Sequence, residues 1–183
     1  MRQLTTVFAV LLACAICAAA AAGAPHGAAA QQASKTKAIR YYSKEVDRFR
    51  RQTWYWQRVM GVRRTPVHIR TLAVSSPVRL RHLARVWQRR FGIAARKAHH
   101  PPNLKAWLCI HHYEGSWKDS GAPYWGGLQM DISFMQSYGG RLYRTKGTAN
   151  HWTILEQIWT AVRAERVRGF YPWPNTARFC GLI

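Results

Sequence analysis

The sequence predicts a mostly helical α+β protein in which a basic, helical segment precedes a compact C-terminal domain. Apolar residues recur at helical spacing in several stretches, and glycine or proline marks where those stretches end. Residues 124–128 combine aromatic side chains with two glycines, which predicts a small β-turn region. Charge is divided unevenly: residues 35–105 hold 19 Lys or Arg and two acids, whereas residues 106–183 hold 8 and 5. We therefore divide the chain into residues 1–24, 25–100 and 101–183.

Composition excludes several kinds of site. The chain has 183 residues, of which 28 are Lys or Arg and 7 are Asp or Glu, so its net charge is +21. Seven carboxylates are too few for a two-metal carboxylate centre or an EF-hand. The Gly-rich phosphate loop of P-loop nucleotide enzymes does not occur in the sequence. A hydrophobic content of 48% argues against a chain that is disordered throughout.

Residues 1–24 are predicted to be a signal peptide, so we expect a secreted or cell-wall-associated protein. Arg2 supplies a positive start, and residues 4–22 are apolar and end in small side chains. A membrane-spanning helix and a lipid anchor at Cys14 are the alternatives. Cleavage is expected after one of three small residues: Ala22, Ala24 or Ala30.

Export leaves two cysteines in the mature chain, Cys109 and Cys180. Outside the cytoplasm two thiols usually form one disulfide, and this one would close a long loop through the C-terminal domain. Two buried free thiols are the alternative.

The basic segment is predicted to hold two helices. The first covers residues 37–60 and stops at Gly61, and the second begins with Ser76 as cap and Pro77 at the first helical position. The strings WQRVMG and WQRRFG, 31 residues apart, indicate either the two arms of a helical hairpin or a coincidence. Apolar side chains define one face of each helix: Ile39, Tyr42, Val46, Phe49 and Trp56 in the first, and Leu80, Leu83, Ala84, Trp87 and Phe91 in the second.

So basic a segment predicts an anionic partner. An exported protein meets little nucleic acid, so we expect none as a partner, and we expect a monomer. Anionic polymers of a cell wall are the favoured partner, with anionic lipid headgroups as an alternative. A solvated face that keeps the chain soluble is the remaining interpretation.

Glu114 is the candidate catalytic residue. A helix starting at Asn103 and running to about Tyr113 places Glu114 at its C-terminal end, where the helix dipole disfavours a negative charge. Nearby aromatic residues would make the surroundings apolar, and both effects favour the protonated carboxyl that a glycosidase general acid needs. An ordinary solvated glutamate at a helix end is the alternative.

The rest of the C-terminal domain supplies candidate binding and structural residues. Aromatic side chains beside the Gln129 amide suit stacking and hydrogen bonding to sugar rings. Asp131 is either a second catalytic carboxylate or the cap of a short helix through Tyr138, which the following glycines end. We predict no metal, because His111 and Glu114 share a helix face without a third ligand at a fixed spacing.

The last stretch contains one helix with a clear start signal. Thr153 and Glu156 form a capping box, and the helix ends near Gly169. Two prolines in the tail, residues 170–181, are predicted to prevent a continuing helix. The inward face is expected to contain Ile154, Ile158, Val162 and Val167.

Residues 107–180 resemble the catalytic domain of resuscitation-promoting factors, a lysozyme-like, transglycosylase-like family that acts on bacterial peptidoglycan. That family shows a Trp, then Cys-Glu, then Tyr-Gly-Gly-Leu-Gln, an aromatic-Gly-Gly and a Trp-Pro before Cys-Gly. The resemblance covers about two-fifths of the chain, and the basic segment has no counterpart in it. The matching positions here are Trp107 and Glu114, Trp125 to Gln129, Tyr138 to Gly140, Trp173-Pro174 and Cys180-Gly181.

The resemblance implies a lysozyme-like domain that needs no cofactor and uses Glu114 as its single catalytic acid. The sequence differs from the family pattern directly before Glu114, where Tyr113 replaces the family's Cys. The nearest cysteine, Cys109, lies about one helical turn earlier. The Glu-Ser-Gly of the family is inverted to Glu-Gly-Ser, and the segment between Trp173 and Cys180 is longer. Together with the nearby aromatic residues, the resemblance predicts these substrate-binding residues: Trp117, Tyr124, Trp125, Gly127, Gln129, Tyr138 and Trp173.

Two classes of function follow. The favoured one is an exported enzyme that cleaves peptidoglycan glycan strands, as a muramidase or as a lytic transglycosylase that forms 1,6-anhydro ends; the sequence leaves both outcomes open. The alternative is a catalytically inert, cationic wall-binding or signalling protein with the same fold.

Overall fold

The computed structural model describes residues 25–67 and 76–183, and these are mostly helical, as predicted. The predicted signal peptide, residues 1–24, lies outside them. Within the described residues there is no β-strand, only one isolated antiparallel bridge between Trp125 and Met130, and no helix is long and apolar enough to cross a membrane. The α-helices are α1 (Pro25–Val59), α2 (Pro77–His99), α3 (Leu104–Glu114), α4 (Ile132–Phe134), α5 (Arg141–Lys146), α6 (Ile154–Arg168) and α7 (Pro174–Phe179). A π-helical turn (Met135–Gly139) follows α4, and a 3-10 turn (Ala149–His151) precedes α6.

Both helices predicted for the basic segment are confirmed, and one is longer than expected. α1 ends at Val59 before Gly61, whose φ is +70°, and α2 starts at Pro77. α1 begins at Pro25 rather than near residue 37. The side chains of residues 27–37 are all exposed, so this part of the helix needs no apolar face. Its many alanines, glutamines and lysines are good helix formers that leave no periodic signal.

The two long helices run parallel, so the hairpin interpretation is wrong. Arg81, near the start of α2, lies 5.8 Å from the ring of Tyr42, whereas His99, at its end, lies 4.8 Å from the ring of Trp56. Residues later in α1 therefore contact residues later in α2, as expected for parallel helices. The chain after α1 must turn back before α2 can start, and Thr65 shows this return, because its carbonyl accepts a hydrogen bond from the indole of Trp54.

A small apolar core holds α1 and α2 together. Its buried members are Val46, Phe49, Ala84 and Trp87, all of which were predicted to face inward. The rings of Phe49 and Phe91 lie 5.9 Å apart, and those aromatic and aliphatic contacts bury the predicted face of each helix.

The C-terminal ends of α1 and α2 pack into the core of the C-terminal domain. Val59 and Ala98 belong to the same buried cluster as Trp107 and Ile158. The indole of Trp159 in α6 donates a hydrogen bond of 2.8 Å to the carbonyl of Ala98. The basic segment is thus attached at one end by shared apolar burial and by a buried hydrogen bond.

Arg163 of α6 makes a second attachment. Its guanidinium donates to the carbonyls of Val59 at 3.1 Å and Tyr138 at 2.7 Å, and to the hydroxyl of Thr160 at 2.8 Å. Val59 is the last residue of α1, where a positive charge complements the helix dipole. Burial lowers the pKa of Arg163 to about 10, so the side chain stays charged at neutral pH.

The capping box of α6 is confirmed, but its inward face is only partly as predicted. Ile158 and Val162 are buried, whereas Ile154 and Val167 are 47% and 76% exposed. The middle of α6 is covered on all sides, so its buried residues do not follow a single stripe. The two wrongly placed residues lie in its first and last turns, which extend past the neighbouring elements.

The Cys109–Cys180 disulfide is confirmed. It links α3 to the end of α7, with the two Cα atoms 6.0 Å apart. As predicted, α6 does not continue into the tail, but Pro174 starts a short separate helix that was not predicted. Proline at the first helical position loses no hydrogen bond, since that N–H has no partner inside the helix.

Removing this disulfide should destabilise the protein. The bond spans 71 residues, and the chain-entropy model assigns about 4 kcal/mol to closing a loop of that size. We expect Cys109→Ser with Cys180→Ser to lower the free energy of unfolding in urea by an amount of that order. The oxidised protein should show no free thiol at these two positions when it is denatured without reductant, and finding two would contradict the pairing.

Candidate active site

Glu114 is the last residue of α3, as predicted. The helix starts after Asn103, but the side chain of Asn103 makes no capping hydrogen bond, because this residue has a left-handed backbone with φ 55°. At the other end Gly115 takes φ +134°, and its N–H donates to the carbonyl of His111. The helix therefore stops directly after Glu114, whose side chain is half-buried.

A chain of hydrogen bonds connects Glu114 to two other parts of the domain. The hydroxyl of Thr176, in α7, donates to Oε1 of Glu114 at 2.7 Å. Trp173, which precedes α7, donates from its indole to the carbonyl of Leu128 at 2.8 Å. The tail therefore fixes the carboxyl of Glu114 relative to the glycine-rich turn that contains Leu128.

The glycine-rich turn is closed by the bridge between Trp125 and Met130, whose backbone groups exchange two hydrogen bonds of 3.0 Å. Gly126 takes φ +74° and Gln129 takes φ +47° within the turn. The predicted β-turn region is thus present as a single tight turn without strands.

One buried amide, that of Gln157 in α6, holds this turn in place. Its Oε1 accepts from the N–H of Gly127 at 2.9 Å, and its Nε2 donates to the carbonyls of Trp117 and Ala149, each at 2.9 Å. A side chain on Gly126 would collide with the Gln157 amide. The glycine is required there because the turn approaches α6 this closely.

An aromatic pair covers the other side of the turn. The rings of His111 and Trp117 stack at 3.9 Å, and His111 Nδ1 lies 3.0 Å from the carbonyl oxygen of Gly127. A Cβ on Gly127 would fall within 2.6 Å of atoms in both rings. The missing side chain of Gly127 therefore makes room for the Trp117 ring.

Asp119 lies beside Gly115 and orients Gln129. Its Oδ2 accepts from Gln129 Nε2 at 2.7 Å, and its Oδ1 accepts from the N–H of Gly121 at 2.9 Å. A side chain on Gly115 would lie 3.6 Å from both Asp119 Oδ2 and Gln129 Nε2. The hydrogen bonds from Gly121 and Gln129 lower the pKa of Asp119, so this carboxyl is ionised at neutral pH.

Asp131 is a helix cap, the second of its two predicted roles. Its carboxylate accepts from the N–H of Phe134 and from the hydroxyl of Ser133, both at 2.7 Å. These bonds, chiefly the one from Phe134, hold the pKa of Asp131 below its usual value. The short helix α4 continues into the π-helical turn, which ends at Gly139 before Gly140, whose φ is +48°.

The predicted substrate-binding residues separate into surface and interior positions. Tyr124 is exposed, and Trp117, Trp125, Gln129 and Tyr138 are half-buried, so each offers surface to a ligand.

Trp173 and Gly127 are interior positions. Trp173 is only 4% exposed and packs against Trp107 and Phe134, and Gly127 is buried beneath Trp117. These two position the site from within and offer no contact surface.

Sequence reasoning missed three residues that shape the site: Asp119, Gln157 and Thr176. One local signal was present: Pro174 at a first helical position predicts the helix that carries Thr176, although not its contact with Glu114. Asp119 had no local signal, because its partner Gln129 is ten residues away.

The described residues, 25–67 and 76–183, contain no group of three His, Cys, Asp or Glu side chains that could hold a metal ion. An open, mostly apolar depression lies beside the disulfide and is lined by Leu104, Phe170 and Leu182, and Glu114 is not part of it. Comparison with protein-family models, curated proteins and solved structures found no match to this chain.

Replacing Gln157 should destabilise the domain and loosen the turn. Gln157→Leu keeps most of the volume but leaves the buried Gly127 N–H without a partner and removes the amide's hydrogen bonds to the carbonyls of Trp117 and Ala149. We expect a loss of about 3 kcal/mol in the free energy of unfolding. Val167→Ala, at an exposed position of the same helix, is the matched control and should change little. Equal effects of the two would show that the amide has no special role.

Acid should weaken the fold through Asp119 and Asp131. Both have a lower pKa in the folded protein than in the unfolded chain. Their stabilising effect is therefore complete above the unfolded value of about 4, and it is lost as the pH falls through the folded pKa. We expect thermal stability to decline below about pH 4, and the decline to be smaller in Asp131→Asn. An identical pH profile in that variant would contradict the contribution of Asp131.

Proposed function

We propose that this protein cleaves the glycan strands of peptidoglycan, with Glu114 as general acid. One observation carries the proposal: a half-buried carboxyl at the end of a helix accepts a hydrogen bond from Thr176 on Oε1, and the next residue, Gly115, lies beside Gln129 of the turn that also bears aromatic side chains. The resemblance of residues 107–180 to resuscitation-promoting factors supports the same assignment. A lysozyme-like fold of residues 101–183 is part of the proposal, as is export to the cell wall.

The hydrogen bond from Thr176 gives the two oxygens of Glu114 different roles. Oε1 accepts from Thr176, so in the protonated state the acidic hydrogen resides on Oε2. Oε2 then donates this proton to the glycosidic oxygen between N-acetylmuramic acid and N-acetylglucosamine, and the bond from the muramic C1 to that oxygen breaks.

The resulting glycosyl cation is attacked by an oxygen nucleophile, and Glu114, now ionised, accepts the nucleophile's proton. Attack by water completes hydrolysis. Attack by the C6 hydroxyl of the same muramic acid gives a 1,6-anhydro ring. The neighbouring carboxylates have other tasks, since Asp131 caps a helix and Asp119 holds Gln129, which favours a mechanism with one catalytic glutamate.

The exposed aromatic rings would bind the sugars. Tyr124 is 48% exposed, and Trp125 and Trp117 present part of their rings to solvent. Such rings stack on the apolar faces of sugar residues, while the Gln129 amide supplies hydrogen bonds. Its orientation is set by Asp119, so we assign Asp119 as a positioning residue.

Glu114→Gln should abolish cleavage while leaving the fold intact. The amide keeps the hydrogen bond from Thr176 but has no acidic proton to donate. We expect activity on purified peptidoglycan to fall by at least about a hundredfold, measured by loss of turbidity. Glu165→Gln makes the same chemical change away from the site and should retain activity.

Mass spectrometry of the released muropeptides distinguishes reducing ends from 1,6-anhydro ends. Undiminished cleavage by Glu114→Gln would refute the enzyme mechanism. Absence of cleavage by the unaltered protein would favour the alternative, an inert wall-binding or signalling protein.

A further inference from the structure

Four arginines form a straight, exposed stripe along α2. They occupy positions 81, 85, 89 and 96, which share one side of the helix, and all four side chains are exposed. The buried residues Leu80, Ala84 and Trp87 lie on a different side, against α1. At 1.5 Å per residue the stripe extends over about 22 Å, with about 6 Å between its first members.

No acid neutralises the arginine stripe among the described residues. α2 contains neither Asp nor Glu. The two acids of α1, Glu45 and Asp47, pair with Arg48 and Arg50 of the same helix at 2.7 Å. Like charges four residues apart repel and destabilise a helix slightly, so the stripe does not serve to stabilise α2. Its four guanidinium groups are therefore available to an anionic ligand.

The chemistry of the stripe favours a linear chain of phosphates. Guanidinium groups bind phosphate oxygens through two parallel hydrogen bonds, and the stripe contains only arginine. A lipid surface fits less well, because the exposed large apolar residues of α2 are only Val78 and Ile93. Nucleic-acid bases, which bind by stacking, would gain little from α2 itself, because the rings of Trp87 and Phe91 pack against α1.

The position of the stripe connects it to the candidate active site. The end of α2 is held in the main core through Ala94 and Ala98, and the carbonyl of Ala98 is bonded by Trp159. Four residues then lead to α3, which ends at Glu114. A polymer bound along the stripe would therefore lie at a set distance from Glu114.

We propose that the arginine stripe of α2 binds a linear phosphodiester polymer of the cell wall and so holds the enzyme on its substrate. The assignment of the polymer to the cell wall rests on the proposed function. The binding of a phosphodiester polymer by the stripe does not depend on it. Polymer binding raises the local concentration of glycan around Glu114.

The test measures binding of the purified protein to poly(glycerol phosphate) as a function of salt. The stripe variant carries Arg81→Gln, Arg85→Gln, Arg89→Gln and Arg96→Gln. The control carries Lys35→Gln, Lys37→Gln, Arg51→Gln and Arg63→Gln, which removes the same charge from other exposed positions of the basic segment. Circular dichroism establishes that both remain helical. All binding is measured in a Glu114→Gln background, so cleavage does not affect the result.

We expect the stripe variant to lose most of its polymer affinity. Loss of four phosphate contacts should reduce the slope of log K against log salt by about 3, as for single-stranded polyanions. The control should keep a slope near that of the unaltered protein. A variant with lysine at the four stripe positions should bind the polymer more weakly than the unaltered protein does, because lysine lacks the planar guanidinium that forms two parallel hydrogen bonds.

Three results would overturn the proposal: equal loss in the stripe variant and the control, tighter binding to duplex DNA of the same phosphate number, or binding to anionic vesicles without binding to the polymer. Activity of the stripe variant on short soluble glycan fragments is measured separately in the Glu114 form. Stripe-dependent binding without any cleavage would refute the proposed function alone. Full cleavage with stripe-independent binding would refute only this inference.

Discussion

The structure depends on satisfying the polar side chains that α6 buries. Glu156, Gln157, Thr160 and Arg163 all lie on this central helix, and the first three are at most 2% exposed. A buried polar group without a partner is costly, so each must meet a hydrogen-bonding group. Thr160 finds its partners within α6, in the Glu156 carbonyl and the Arg163 guanidinium, whereas the other three also bind groups from other parts of the chain. Glu156 binds Lys146 and the N–H of Thr153, and Arg163 binds the ends of two other elements. These requirements determine which segments surround α6 and in what orientation.

The candidate active site is built from these constraints and from close backbone contacts. Gln157 ties together the loop at Trp117, the glycine-rich turn and the turn at Ala149. Gly126 and Gly127 allow the turn to lie against the Gln157 amide and the Trp117 ring. The residues between Trp173 and Cys180 form α7 and bring the hydroxyl of Thr176 to Glu114. The tail thus supplies the hydrogen bond that orients the candidate carboxyl.

The strongly basic segment is packed directly against a C-terminal domain that has little net charge. Residues 35–105 carry +17 of the net charge of +21, while the shared core and Arg163 join their helices to the domain that contains Glu114. An attachment of this kind differs from a flexible tether, because the basic surface and the candidate site keep a constant relation. In the proposed function, this arrangement would present the Glu114 carboxyl to the polymer that the basic helices bind.

The sequence by itself determined the helical character, the ends of most helices and the candidate glutamate, because these depend on local signals. Pro77, Gly61 and the Thr153–Glu156 box act within one helical turn, and an apolar stripe is visible wherever a helix has one buried side. The start of α1 was missed, since an exposed helix needs no stripe, and the ends of α6 were misjudged, since its middle is buried all round. Only the tertiary structure decided that α1 and α2 are parallel, that Trp173 is interior, and that Gln157, Thr176 and Asp119 complete the site. Each of these depends on partners ten to more than sixty residues apart in the chain, and contacts at that separation are set by packing and by the pairing of buried polar groups, which leave no local pattern in the sequence.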